Sequence, residues 1–126
     1  MKKIINTNKS PAPIGPYNQA VLKENMLFIS GQIALDPVSM KLNNDSIEEE
    51  TNQVMLNLKH ILNEAKMDFS NVVKTSIFLS DMDLFKDVND IYGKYVKYGN
   101  EPARETIAVK TLPMNVKVEI SMIAII

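Results

Sequence analysis

The sequence predicts an α+β fold with two helices on one face of a mixed β-sheet. Three observations carry this. Segments with strand periodicity and helix periodicity follow one another in the order β-β-α-β-α-β-β. A capping signal opens the first helix. The final segment alternates apolar side chains from Val116 to Ile126. Elements in this order place helices over one face of a mixed sheet.

Ala20 to Lys23 and Met26 to Ile33 read as two strands joined by a hairpin turn at Glu24-Asn25, and Asp36-Pro37 ends the second. A short extra strand is expected near Lys3. Ser46 to Lys66 reads as a helix, with Ser46 and Glu49 in capping-box register. Its apolar positions Ile47, Val54, Leu58, Ile61, Leu62 and Ala65 form one stripe. Asn71 to Ser80 alternates Val73, Thr75, Ile77 and Leu79 against Lys74 and Ser76 as a strand does. A second helix is expected from about Asp83 to about Tyr98, with Leu84, Val88, Ile91 or Tyr92, and Tyr95 on its apolar side. Two strands follow, near Arg104 to Val109 and Val116 to Ile126.

The last strand is apolar on one face throughout (Val116, Val118, Ile120, Met122, Ala124, Ile126), while its other face turns from polar to apolar at Ile123 and Ile125. Such a strand requires cover on both sides, and the chain's own helices supply one. Either a second subunit covers the other face, which makes the protein an oligomer, or the strand is fully internal.

The 126 residues suit one domain spanning 1–126. With 45% hydrophobic and 23% charged residues, the composition is that of a folded chain. Fourteen basic against fifteen acidic side chains, with one arginine and scattered lysines, gives no support to nucleic-acid binding. Without cysteine there is no disulfide, thiolate nucleophile or cysteine metal site. No run approaches the ~20 apolar residues of a membrane span, and no signal peptide is evident. The expectation is a cytoplasmic protein with no membrane partner.

His60 lacks nearby residues that would make it a ligand or base. The acidic group Asp45, Glu48, Glu49 and Glu50 lies at a helix N-terminus, where the helix dipole favours carboxylates without any metal; no metal site is expected. Two residues stand out. Arg104 is the only arginine beside thirteen lysines, and its planar fork suits a carboxylate as no lysine does. It either binds an anionic ligand or forms an internal salt bridge. Glu119 stands mid-strand among apolar neighbours, where an unpaired carboxylate is costly. It either pairs with a cation, Arg104 or a lysine, or serves chemistry. The segment Ser10-Pro11-Ala12-Pro13-Ile14-Gly15-Pro16 is irregular, either a plain surface connector or a rigid loop that holds the next residue, Tyr17, in one place.

At these residues the sequence resembles the reactive intermediate deaminases, the RidA or YjgF-type family. Pro13-Ile14-Gly15-Pro16-Tyr17 with Gln19-Ala20 is similar to the family's N-terminal signature. Phe28-Ile29-Ser30-Gly31-Gln32-Ile33, then Val88-Asn89 with Tyr92, Pro102-Ala103-Arg104, and Val116-Lys117-Val118-Glu119-Ile120 resemble its later motifs in order and spacing. The resemblance implies a chorismate-mutase-like domain in a barrel-cored homotrimer with sites between subunits. It also implies cofactor-free hydrolysis of 2-imino acids, the tautomers of 2-aminoacrylate and 2-aminocrotonate, to 2-keto acids and ammonia. These enamines arise from pyridoxal-phosphate dehydratases. The implied catalytic set is Arg104 as carboxylate clamp, Glu119 as the group orienting water, and Tyr17 closing the site. Ser30, Gly31, Asn89 and Thr106 would bind substrate. A carboxylate beside Arg104 should have a lowered pKa, so Glu119 would orient water rather than act as a strong base.

Three positions depart from the family pattern. Thr106 stands where many members carry cysteine, Glu101 where an aromatic residue often precedes Pro-Ala-Arg, and Ser121 where a second glutamate is common. The competing readings are a carboxylate-binding or regulatory trimer without turnover, a ribonuclease, and a holdase using the eight methionines.

Overall fold

The computed structural model describes residues 1–126. Six strands, β1 (Lys3–Ile5), β2 (Ala20–Lys23), β3 (Met26–Gln32), β4 (Val72–Leu79), β5 (Ala103–Ala108) and β6 (Val118–Ile125), form one sheet. Their order in space is β1-β2-β3-β6-β4-β5, and only β4 and β5 run parallel. Helices α1 (Ile47–Glu64) and α2 (Phe85–Tyr92) pack together over one face of this sheet. α2 is the crossover that allows β4 and β5 to be parallel. The α+β prediction holds, including the short strand near Lys3.

The hairpin turns where expected, with Glu24 at φ 55. At the start of α1 the Ser46 hydroxyl accepts the Glu49 N–H at 3.1 Å. Val54, Leu58, Ile61 and Leu62 of the predicted stripe are fully buried. They meet Leu27 and Ile29 of β3, Ile77 and Leu79 of β4, and Val118, Ile120, Met122 and Ala124 of β6 in one core. Each of the larger side chains among these, Val, Leu, Ile and Met, contributes about 1.5–3 kcal/mol relative to exposure.

Two expectations are corrected. The second helix does not reach Tyr98: it ends at Tyr92, Gly93 is its C-cap, and irregular turns follow. Tyr95 and Val96 still pack on the core, which is why the apolar pattern continues past the helix. On β4 the residue facing the core at its start is Val72, not Val73. A bulge between Val72 and Lys74 inserts an extra residue and leaves Val73 exposed. Within the acidic group at the start of α1, Glu50 is buried.

The chain covers the sheet face opposite the helices only at its Glu119 end, where Phe78 packs on Ile33, Leu35, Leu112 and Val116; the rest is open. Val21, Phe28 and Ile123 form a cross-strand row there, with Phe78 and Ile107 paired beyond it. Phe28 and Ile107 are 42% and 46% exposed. The same face carries a Lys74–Glu105 ion pair at 2.7 Å, with the Ser76 hydroxyl also donating to Glu105. No helix is long and apolar enough to cross a membrane.

Candidate active site

Strand parity decides where the predicted residues go. Along β6, Val118, Ile120 and Met122 point into the core, so Glu119 points to the open face. On β5, Arg104 is in register with the buried Thr75 of β4, and Thr106 with the buried Ile77. Both therefore lie on the helix side. Arg104 and Glu119 stand on opposite faces of one sheet.

On the helix side, α2 holds the guanidinium. The Arg104 Nη1 donates to Asn89 Oδ1 at 2.7 Å. Its Cζ lies 5.7 Å from the Phe85 ring centroid and 5.2 Å from that of Tyr92. Tyr92 is fixed in turn by its hydroxyl, which donates to Thr75 Oγ1 at 3.0 Å, and burial raises its pKa. No carboxylate of this chain pairs with Arg104, since the ion pairs are Lys74–Glu105 and Lys86–Asp90. The guanidinium opens on a cavity of ≈ 460 Å³ lined also by Val96, Tyr98, Glu101 and Pro102. Two residues along the strand, the Thr106 hydroxyl is buried and has no hydrogen-bond partner. An unpaired buried hydroxyl is unusual and costly.

On the other side a second cavity of ≈ 420 Å³ contains Tyr17, Ser30, Gly31 and Glu119, with Ile14, Gln32 and Pro113 in its wall. A bulge between Ile29 and Gln32 brings Ser30-Gly31 to this face. Gly31 is packed against Glu119 so closely that a Cβ built on it would lie 2.8 Å from the Glu119 Cδ. Glu119 has no ion-pair partner, and partial burial raises its pKa. This reverses the lowered pKa expected from Arg104, because within one chain the arginine lies on the far side of the sheet.

The loop that carries Tyr17 is tied down by buried polar contacts. The Gln19 side chain accepts the Thr7 N–H at 2.7 Å and donates to the carbonyls of Thr7, Ser10 and Pro11. The Ser10 hydroxyl donates to Asn57 O at 2.7 Å, and His60 Nδ1 lies 2.9 Å from Lys9 O. His60 is thus a loop anchor. The Tyr17 hydroxyl accepts the Ile14 N–H at 3.3 Å, keeping its own proton for a ligand. Ser30 differs: it lines the cavity, but its hydroxyl already donates to Asn18 O at 2.6 Å.

The structure therefore gathers Arg104, Asn89 and Thr106 on one face and Tyr17, Ser30, Gly31 and Glu119 on the other. The sequence reading missed Glu50, Asn57 and the role of Gln19. Polar residues inside an apolar helical stripe were the available signal for the first two.

Comparison with known proteins agrees with the motifs. Residues 7–126 match the family model described as endoribonuclease L-PSP. A mouse 2-iminobutanoate/2-iminopropanoate deaminase is 46% identical over 125 residues, covering 99% of this chain and 92% of that protein. The crystal structure of a Rid-family protein from Yersinia pestis matches with a TM-score of 0.96 at 39% identity, covering 100% of both chains. That of Escherichia coli TdcF with bound serine matches at 0.92 and 31% identity, covering 98% of each. The motifs, the fold and these matches together establish that the chain belongs to the endoribonuclease L-PSP family, the RidA/YjgF group.

Proposed function

We propose that this protein is a 2-imino acid deaminase, hydrolysing the imine tautomers of 2-aminoacrylate and 2-aminocrotonate to 2-keto acids and ammonia without a cofactor. The observation that carries the reading is Arg104, held on Asn89 and two aromatic rings, without a carboxylate partner and open to a cavity. That is a cradle for a carboxylate. Relatives of matching length are named as deaminases of such substrates, and one crystallised relative holds serine, which bears a carboxylate.

The chemistry needs a second half. An iminium carbon is strongly electrophilic, so water must mainly be oriented. Glu119 supplies an acceptor for that water, and its raised pKa brings it nearer to a useful general base. Tyr17 closes over it with a free O–H. Because the two halves lie on opposite faces of one sheet, a complete site needs two copies of the chain. A homotrimer in which the uncovered apolar sheet faces meet, and the Glu119 half of one subunit approaches the Arg104 half of the next, satisfies this. We place the reaction in the cytoplasm, consistent with the cysteine-free composition.

The test is direct. A dehydratase generates 2-aminoacrylate or 2-aminocrotonate, and keto-acid release is followed with and without the protein. Acceleration by wild type, lost in Arg104→Ala, is expected. Ligand binding without any acceleration would make the protein a carboxylate-binding module instead.

A further inference from the structure

The Glu119 cavity lies at a fork in the sheet. β3 pairs with β6 only as far as Gln32 opposite Ile120, so β6 residues before Ile120 have no β3 partner. There the chain after Gln32 turns away, and the residues around the opening (Gly31, Gln32, Ile33, Leu35, Pro113 and Glu119) wall the cavity. A fork of this kind leaves backbone groups on both arms without a ladder partner inside the protein, which is costly unless something else satisfies them.

Two side chains of α1 do so. Glu50 is 1% exposed and has no cationic partner; one oxygen of its carboxylate accepts the N–H groups of both Lys117, at 2.7 Å, and Val118, at 3.1 Å. Asn57 is fully buried, and its Nδ2 donates to the carbonyls of Ile33, at 3.1 Å, and Leu35, at 3.0 Å. Gln53 Nε2 donates to Asn57 Oδ1 at 2.9 Å and fixes the amide. Glu50 and Asn57 are seven residues apart, two turns along the same helix face. One therefore braces the β6 arm and the other the β3 arm, and Glu119 follows the Glu50-bound segment directly.

We infer that Glu50 and Asn57 are positioning residues: they hold the fork between β3 and β6 open and thereby set where the Glu119 carboxylate stands. Neither faces the proposed ligand. Apolar residues of similar size would fill the core equally well but would let the arms close or slip. The inference rests on the deaminase reading for its kinetic consequence, and on geometry alone for its structural one.

Four variants test it: Glu50→Met, Glu50→Gln, Asn57→Ser and, as a control for lost stability, Leu62→Ala in the same helix. In Glu50→Met, kcat should fall at least tenfold with KM within about twofold of wild type. Glu50→Gln retains an oxygen that can accept both N–H groups and should recover most of kcat. Leu62→Ala should lower the unfolding temperature yet keep kcat. Should Glu50→Met not fold, Asn57→Ser, too short to reach both carbonyls, carries the same expectation. A folded Glu50→Met or Asn57→Ser with wild-type kcat, or a Leu62→Ala with an equal kcat loss, would overturn the inference. Should wild type show no turnover, the deaminase reading fails and the inference is read from the NMR titration of the Glu119 carboxylate. That titration should move back toward the ordinary carboxylate range in Glu50→Met and Asn57→Ser but not in Glu50→Gln. A Glu119 titration indifferent to all of them contradicts it.

Discussion

Gly31 and Glu119 fit together because Gly31 has no side chain: a methyl group there would lie 2.8 Å from Cδ and 3.1 Å from Oε2 of the glutamate. Gly31 has no positive φ, so alanine brings no backbone strain. Only the position of the Glu119 side chain is at issue.

Gly31→Ala is therefore expected to fold normally and to push the Glu119 carboxylate aside. Misplacing a reacting group by about 1 Å costs on the order of 10²-fold. Turnover should fall by that order while the unfolding temperature changes little. Wild-type kcat in Gly31→Ala would show that the carboxylate does not act from this position.

Arg104→Lys keeps the charge and loses the fork. A charge-assisted hydrogen bond contributes about 1.5–3 kcal/mol, so kcat/KM should fall by about 10–100-fold. Steady-state kinetics on 2-iminobutanoate check this; an unchanged kcat/KM would remove the bidentate clamp.

Thr106→Val separates stability from function. It removes a buried hydroxyl without a partner, so thermal stability should hold or rise, by up to about 1 kcal/mol. If that hydroxyl waits for the substrate carboxylate, KM should rise several-fold in the same variant. A destabilised Thr106→Val with wild-type KM would point to an internal partner for the hydroxyl.

For Glu119 the pH dependence has a definite sign. Burial raises its folded pKa above the ordinary carboxylate value of 4.5. Between those values the folded chain holds more protons than the unfolded one, so stability falls as pH rises through that window. Glu119→Gln should abolish that loss, giving a higher unfolding temperature than wild type at neutral pH and no gain at pH 4. Its turnover should drop about 10²–10⁴-fold. Equal melting curves at both pH values would contradict the burial argument.

Much of this was legible in the sequence. Ser46 marks the start of α1, and the change to apolar residues at Ile123 and Ile125 shows that the second face of β6 needs cover, from a second subunit or from within the chain. The apolar pattern of the second helix runs past its end because Tyr95 and Val96 pack on the core from a turn, and Gly93 is the stop signal in the sequence. Alternation alone puts Val73 on the core face of β4, because a bulge leaves no trace in it. The motifs identified Arg104 and Glu119, but their separation across the sheet depends on strand pairing, which no local pattern encodes. In the sequence Glu50 is one carboxylate among four, since only the fork between β3 and β6 gives it its partners.

The central claim is that one chain carries two half-sites that meet only between copies. Mixing Arg104→Ala and Glu119→Ala subunits, after unfolding and refolding together, tests it most directly. Each variant alone should be inactive. In a randomly mixed symmetric ring, about a quarter of the interfaces join an intact Arg104 half to an intact Glu119 half, so about a quarter of wild-type activity should return. Mixed oligomers as inactive as either parent would contradict the claim, and would mean that Arg104 and Glu119 act within one chain or not together.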